Sequence, residues 1–159
     1  MTISPETAPR HKRVVAGTDG SSAPIAALRW ALYYAALSGS ATEVIVAWDW
    51  PANIGWEFSV PGDFDPEMSA EQVLDVLIGQ LRAEFPDQII NGKVMQGHPA
   101  PILVSASSHA DLLVVANRGH GEFAGMLLGS VSEHCVAHAH CPVVVFRADA
   151  DQGCTAVST

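Results

Sequence analysis

Positive charge is scarce in this sequence: 8 Lys and Arg stand against 17 Asp and Glu in 159 residues, a formal net charge of −9 with the histidines neutral. Phosphate backbones draw proteins in through Lys and Arg, so no nucleic-acid partner is expected, and any bound phosphate has to be held by local donors. Apolar runs of the roughly 20 residues needed to cross a bilayer are missing, and residues 1–11 carry no signal-peptide hydrophobic region. The expectation is a cytoplasmic protein with no membrane partner. Cysteine is sparse as well. Cys135, Cys141 and Cys154 are odd in number and lack the spacing of a secreted disulfide framework, so they read as two small buried hydrophobes and one tail thiol. There is no G-x-x-x-x-G-K-S/T loop, and without its lysine vigorous phosphoryl transfer is not expected. No Ser/His/Asp triad is legible, and residues 129–133 lack the second glycine of a nucleophile elbow.

What is present is an ordinary apolar fraction, 48%, in a chain long enough for one well-buried core. Residues 1–11 and 148–159 are small, polar and unpatterned and read as flexible tails around a folded unit of residues 12–147. Within that unit, strand-length apolar runs at 13–18, 43–48, 89–96, 111–116 and 142–146 alternate with helical patterns. Helices are expected from Ser21 or Ser22 to about 38, from about 69 to 85, after Gly97-His98-Pro99, and from 130 to about 138. The second carries Val73, Leu74, Leu77, Ile78 and Leu81 on its apolar face. This βαβα rhythm predicts an α/β fold, a single-domain open five-stranded parallel sheet with helices on both faces. The almost uniformly apolar run at 111–116 suits the interior of such a sheet.

Open α/β sheets bind ligands beyond the carboxyl ends of their strands, at the point where strand order reverses. Two loops qualify: Gly17-Thr18-Asp19-Gly20 after the first strand, and residues 117–130 after the fourth. The second carries glycines at 119, 121, 125 and 129 and leads into a helix N-terminus, where bare amides and the positive end of the helix dipole favour an anion. Ser130 followed by Glu133 has the form of a capping box, leaving the Val131 and Ser132 amides for a ligand. Arg118 and His120 are the loop's basic side chains.

These residues resemble the universal stress protein family over about residues 12–147. The likeness is carried by Val14-Val15-Ala16-Gly17-Thr18-Asp19-Gly20-Ser21, by Gly97-His98-Pro99-Ala100, by Leu127-Leu128-Gly129-Ser130-Val131-Ser132-Glu133, and by His140-Cys141-Pro142-Val143. The nucleotide-binding members hold ATP on a G-x-x-G-x9-G-S/T loop. Here that motif falls on Ala116-Asn117-Arg118-Gly119, nine residues, then Gly129-Ser130, so Ala116 departs from the pattern and its methyl is placed to crowd a ribose or phosphate. The resemblance implies a stress-response regulator or sensor, not an enzyme, binding ATP with or without Mg²⁺, or alternatively ADP or cyclic AMP. Its site would comprise Gly17, Thr18, Asp19, Trp48, Ala116, Asn117, Arg118, Gly119, His120, Gly121, Gly129, Ser130, Val131 and Ser132. Asp19 would reach the ribose, and the main chain of Trp48 the adenine; the indole either stacks there or fills the core. The resemblance also implies a homodimer through the fifth strand. A nucleotide-independent interaction scaffold and a slow ATPase are the alternative readings.

Other constellations carry less. His134 and His138 are one helical turn apart near His140 and Cys141, but the spacing matches no standard zinc pattern, and no metal site is expected. His98 reads as a turn residue. Trp48, Trp50, Trp56 and Phe58 surround a long loop at 49–66 that would serve as a lid, as a partner surface or simply as a loop pinned to the body.

Overall fold

A computed structural model describes residues 12–49, 65–117 and 127–147. Five strands, β1 (Arg13–Gly17), β2 (Ala41–Trp48), β3 (Ile90–Gln96), β4 (Leu112–Ala116) and β5 (Val143–Phe146), alternate with four helices, α1 (Ser22–Ser38), α2 (Pro66–Glu84), α3 (Pro99–Ser107) and α4 (Ser130–His138). All strand pairings are parallel, in the order β3-β2-β1-β4-β5. The sheet reverses direction between β1 and β4, as the pattern predicts.

The two faces follow from the period-two alternation of strand side chains. Val14, Ala16, Val44, Val46 and Val114 share one face, packed against Leu28 and Leu32 of α1 and Leu74, Leu77 and Leu81 of α2. Val15, Ile45, Leu113 and Val115 point the other way, into a cluster with Leu103 of α3 and Cys135 of α4. β4 is buried along its whole length, since both faces are covered. Burial pushes the Cys135 thiol up to about 11, the mark of an inert structural cysteine; Cys141 is half-buried and also raised, by burial first and by Asp111 second. Cys154 lies outside the described residues. β5 is an edge strand whose four residues are all half-buried. No described helix is long and apolar enough to cross a membrane.

Local chemistry explains the differences from the pattern. α2 starts at Pro66 rather than near 69, because the Asp65 carboxylate accepts the Glu67 and Met68 amides at 3.0 and 3.1 Å and Pro66 occupies the first helical position, where its missing N–H costs nothing. Val73 lies at the margin of the buried arc of that helix and is exposed, whereas Leu74, Leu77, Ile78 and Leu81 are buried. β2 starts two residues early, at Ala41, whose amide bonds to the Lys12 carbonyl. α1 ends where Gly39 takes the left-handed conformation, φ 66°.

One buried charge fastens the sheet. Glu43, with its side chain 7% exposed, accepts from Arg13 at 3.0 Å and from Lys93 at 3.1 Å, linking β1, β2 and β3. The same arginine donates to the Ala106 carbonyl of α3.

At the other end of β1 the packing is tighter still. A Cβ on Gly17 would come within 2.6 Å of the Cδ1 of Leu103, the buried leucine of α3. Gly17→Ala is therefore expected to destabilise the protein by about 1–3 kcal/mol through overpacking, measured by urea unfolding; an unchanged midpoint would show that Leu103 has room to move.

Candidate functional site

The β1–β4 ladder ends at Ala16↔Val114, although β1 continues beside β2 to Gly17↔Ile45 and β4 beside β5 to Ala116↔Phe146. The two central strands thus part company before either ends. Open sheets bind ligands in a crevice at such a switch point, here between residues 17–19 and 115–117, with α1 packed on one face of the sheet and α4 on the other.

On the β1 side, the chain is held in two nested turns. The Thr18 amide donates to the Ile45 carbonyl at 3.0 Å, and the buried Thr18 hydroxyl accepts the Gly20 amide at 3.1 Å. Asp19 is exposed; its Oδ1 accepts the Ser21 amide at 2.9 Å and the Ser21 hydroxyl. Such short-range side-chain bonds are what Asp, Ser and Thr supply in turns, and Gly20, at φ 82°, completes the reversal. Ser21 stands at the N-cap position of α1, but its side chain makes no capping bond.

On the β4 side, Asn117 closes the base of the glycine-rich loop. Its amide donates to the Phe146 carbonyl at 2.8 Å, and its carbonyl accepts the Gly129 amide at 2.7 Å. The capping box expected at Ser130 and Glu133 is not formed. Gly129, extended at φ −76° and ψ 164°, takes the N-cap position, its carbonyl accepting the Glu133 amide, which leaves Ser130 as the exposed first residue of α4. The first-turn amides of a helix have no intrahelical partner, so Ser130, Val131 and Ser132 still present the anion-favouring end of α4. The Ser132 side chain turns inward instead: it is 3% exposed, and its hydroxyl donates to the Ala116 carbonyl at 2.8 Å. That bond was not legible beforehand; the available signal is a small hydroxyl in the first turn of a helix that follows a buried strand.

Ala116 is 8% exposed and belongs to the apolar cluster beneath α1 and α2. Trp48, half-buried, packs against the same cluster, and its carbonyl accepts the Gly97 amide at 2.7 Å. His98 is exposed at the N-cap position of α3, with Nε2 3.5 Å from Asp49 Oδ2. Gly17, Thr18, Asp19, Ala116, Asn117, Gly129, Ser130, Val131 and Ser132 therefore gather around the crevice ends, with Trp48 one strand away at the end of β2. Arg118, Gly119, His120 and Gly121 lie outside the described residues, as do Trp50, Trp56 and Phe58.

A groove of about 700 Å³ adjoins the β1 side, between the start of α1 and α2, lined by Asp19, Gly20 and Ser21 at one end and by Ile25, Val73, Val76 and Leu77 along its wall. It reaches Asp19, and no residue of α4 lines it. The His134 and His138 rings lie 4.5 Å apart on α4, and among the described residues no group of three or more His, Cys, Asp or Glu side chains converges as a metal site would require.

Comparison with known proteins follows the same lines. Residues 10–147 match the profile of the Universal stress protein family. Universal stress protein Rv2623 of Mycobacterium tuberculosis is 34% identical over 145 residues, covering 87% of this chain and 46% of that protein. Universal stress protein Rv2005c of the same organism is 35% identical over 141 residues, with the same coverages of 87% and 46%. The chain thus spans about half the length of these curated relatives. Among solved structures, a universal stress protein in complex with cAMP is 28% identical, with 85% of this chain and 96% of that one covered and a TM-score of 0.62. A universal stress protein from Archaeoglobus fulgidus, at 19% identity, shares the fold with a TM-score of 0.66 over 84% of this chain and 97% of that one.

The Asp19 turn is separable from any charge effect. Asp19→Ala removes the acceptor for Ser21 and is expected to cost about 1 kcal/mol of stability, whereas Asp19→Asn keeps an acceptor oxygen and should lose less than half of that; equal losses in thermal unfolding would refute the turn as the cause.

Proposed function

This chain belongs to the universal stress protein family, and from that premise we propose that it binds one adenine nucleotide, ATP foremost, in the crevice between β1 and β4. The observation that carries the reading is the early parting of those two strands, with the Thr18–Asp19 turn following β1 and the N-terminus of α4 following β4 in the chain. Ligands of open α/β sheets sit at this switch point, and a helix N-terminus offers amides and a positive dipole to phosphate. The cAMP-bound relative supports an adenine nucleotide as the occupant. Gly17, Thr18 and Asp19 would line the base and ribose side together with the Trp48 main chain. Asn117, Gly129, Ser130, Val131 and Ser132 would offer the phosphate side, joined by Arg118, Gly119, His120 and Gly121 from the loop that Asn117 and Gly129 close.

Binding, rather than turnover, is the proposed activity. Asp19, the carboxylate at the rim, is engaged by two hydrogen bonds from Ser21, which favours a structural use over activation of water. A stress regulator of this kind works by population shift: the nucleotide has to bind two conformations unequally in order to change what the protein does. In this reading residues 12–147 form one folded unit, and the chain pairs with a second copy through β5. The half-buried edge favours that pairing.

Titration calorimetry of the full chain with ATP, ADP and cyclic AMP, each with and without Mg²⁺, is expected to show saturable binding of at least one of them at one per chain. No heat with any of the three would sink the reading. Because the Ala116 methyl lies in the core cluster, Ala116→Gly is expected to lower stability by roughly 0.5–1 kcal/mol and to leave affinity within about twofold; a large gain in affinity would mean that the methyl does crowd the ligand. In sedimentation the chain is expected at twice its monomer mass and Val144→Lys at the monomer mass; a monomeric parent rules out the β5 pairing.

A further inference from the structure

Resting on the nucleotide-binding reading, we propose that Ser132 is a positioning residue of the site, whose hydroxyl sets the spacing between the end of β4 and the first turn of α4. The side chain is 3% exposed, and its hydroxyl is spent on the strand end rather than offered to solvent. It donates to the Ala116 carbonyl at 2.8 Å and lies 3.2 Å from the Asn117 carbonyl, bridging 16 and 15 residues of chain. The Asn117 carbonyl also takes the Gly129 amide at 2.7 Å. Two consecutive carbonyls at the strand end are thereby tied to two points of the helix start, one on each side of Ser130.

The chemistry of the site makes this spacing matter. An anion held by first-turn amides is gripped only while those amides face the crevice at hydrogen-bond distance, and misplacement by about 1 Å weakens such an arrangement severely. Packing of Val131 and Cys135 holds the body of α4, while its backbone tie to the strand end is the single bond at Gly129. The hydroxyl of Ser132 adds a second point there and fixes the first turn against the strand end. Without it the Ala116 carbonyl, buried at this junction, is left to find another donor, and the helix start has to move to supply one.

The test is calorimetry with cyclic AMP and ATP on three variants of the full chain, at a temperature where all are folded by circular dichroism. Ser132→Ala is expected to lose about tenfold or more in affinity. Ser132→Thr, which restores the hydroxyl, is expected to recover to within about threefold. Val114→Ala, a core truncation on the same strand, controls for general destabilisation and is expected to bind within about twofold of the parent. If the parent binds and Ser132→Ala binds equally well, or if Ser132→Ala and Val114→Ala weaken binding alike, the positioning role is overturned while nucleotide binding stands. A parent chain that binds neither of these nor ADP overturns the nucleotide reading itself, and the positioning role with it.

Discussion

The position of β1 in the middle of a wholly parallel sheet is the constraint from which the rest of the structure follows. Parallel neighbours need a crossover, and a crossover that packs back onto the sheet is right-handed. Moving outward from β1 through β2 to β3, that rule puts α1 and α2 on one face. Returning past β1 to β4 and on to β5 reverses the direction of travel, and the same handedness puts α3 and α4 on the other. The strands on either side of the reversal send their outgoing chains to opposite faces, which is why a switch point of this kind is a product of topology before it is a product of any side chain.

Much of this was legible from residue order. Alternation of apolar runs with helical patterns gives the parallel sheet, and the uniformly apolar Leu112–Ala116 gives a strand covered on both faces. The expected location of the site came from a rule about strand ends, and the expected occupant from the resemblance. What was not legible depends on conformation at single residues. The Ser130 and Glu133 pair has the spacing of a capping box, but spacing does not say which residue adopts the extended backbone of an N-cap, and Gly129 takes that place. Pro66 was read with the preceding loop because proline usually interrupts, whereas Asp65 before it makes it a helix opener. Val73 lies at the edge of a stripe whose centre is clear and whose width is set by how far the sheet reaches. Ser132 was singled out for its amide, and the use of its hydroxyl depends on the strand end, 16 residues away in sequence, being brought beside it.

The shortage of positive charge also takes on a structural meaning. Of the 8 Lys and Arg in the sequence, Arg13 and Lys93 converge on Glu43, and Arg82 donates to the Ile90 carbonyl. Arg29 meets Glu84 at the surface through two hydrogen bonds of 2.9 and 2.8 Å, which raise the pKa of the guanidinium and lower that of the carboxylate. The cations with described partners fasten elements of the fold together; in the proposed site the first-turn amides of α4 would meet the phosphate together with Arg118 and His120.

The central strand has a further implication for how the molecule comes into being. β1 is among the first segments of the fold to be made, yet one of its two edges pairs with Leu112, Leu113 and Val114, and the Arg13 amide bonds to the Asp111 carboxylate 98 residues away. Until that stretch of chain arrives, the strand can complete only its β2 side, and a row of backbone groups on its other edge remains open to any extended segment that passes. Long-range pairing of this kind pays its loop-closure entropy before its contacts accrue, and it makes folding slow relative to proteins of local topology. The most vulnerable moment of this chain is thus the interval between the synthesis of its centre and the synthesis of the strand that covers it.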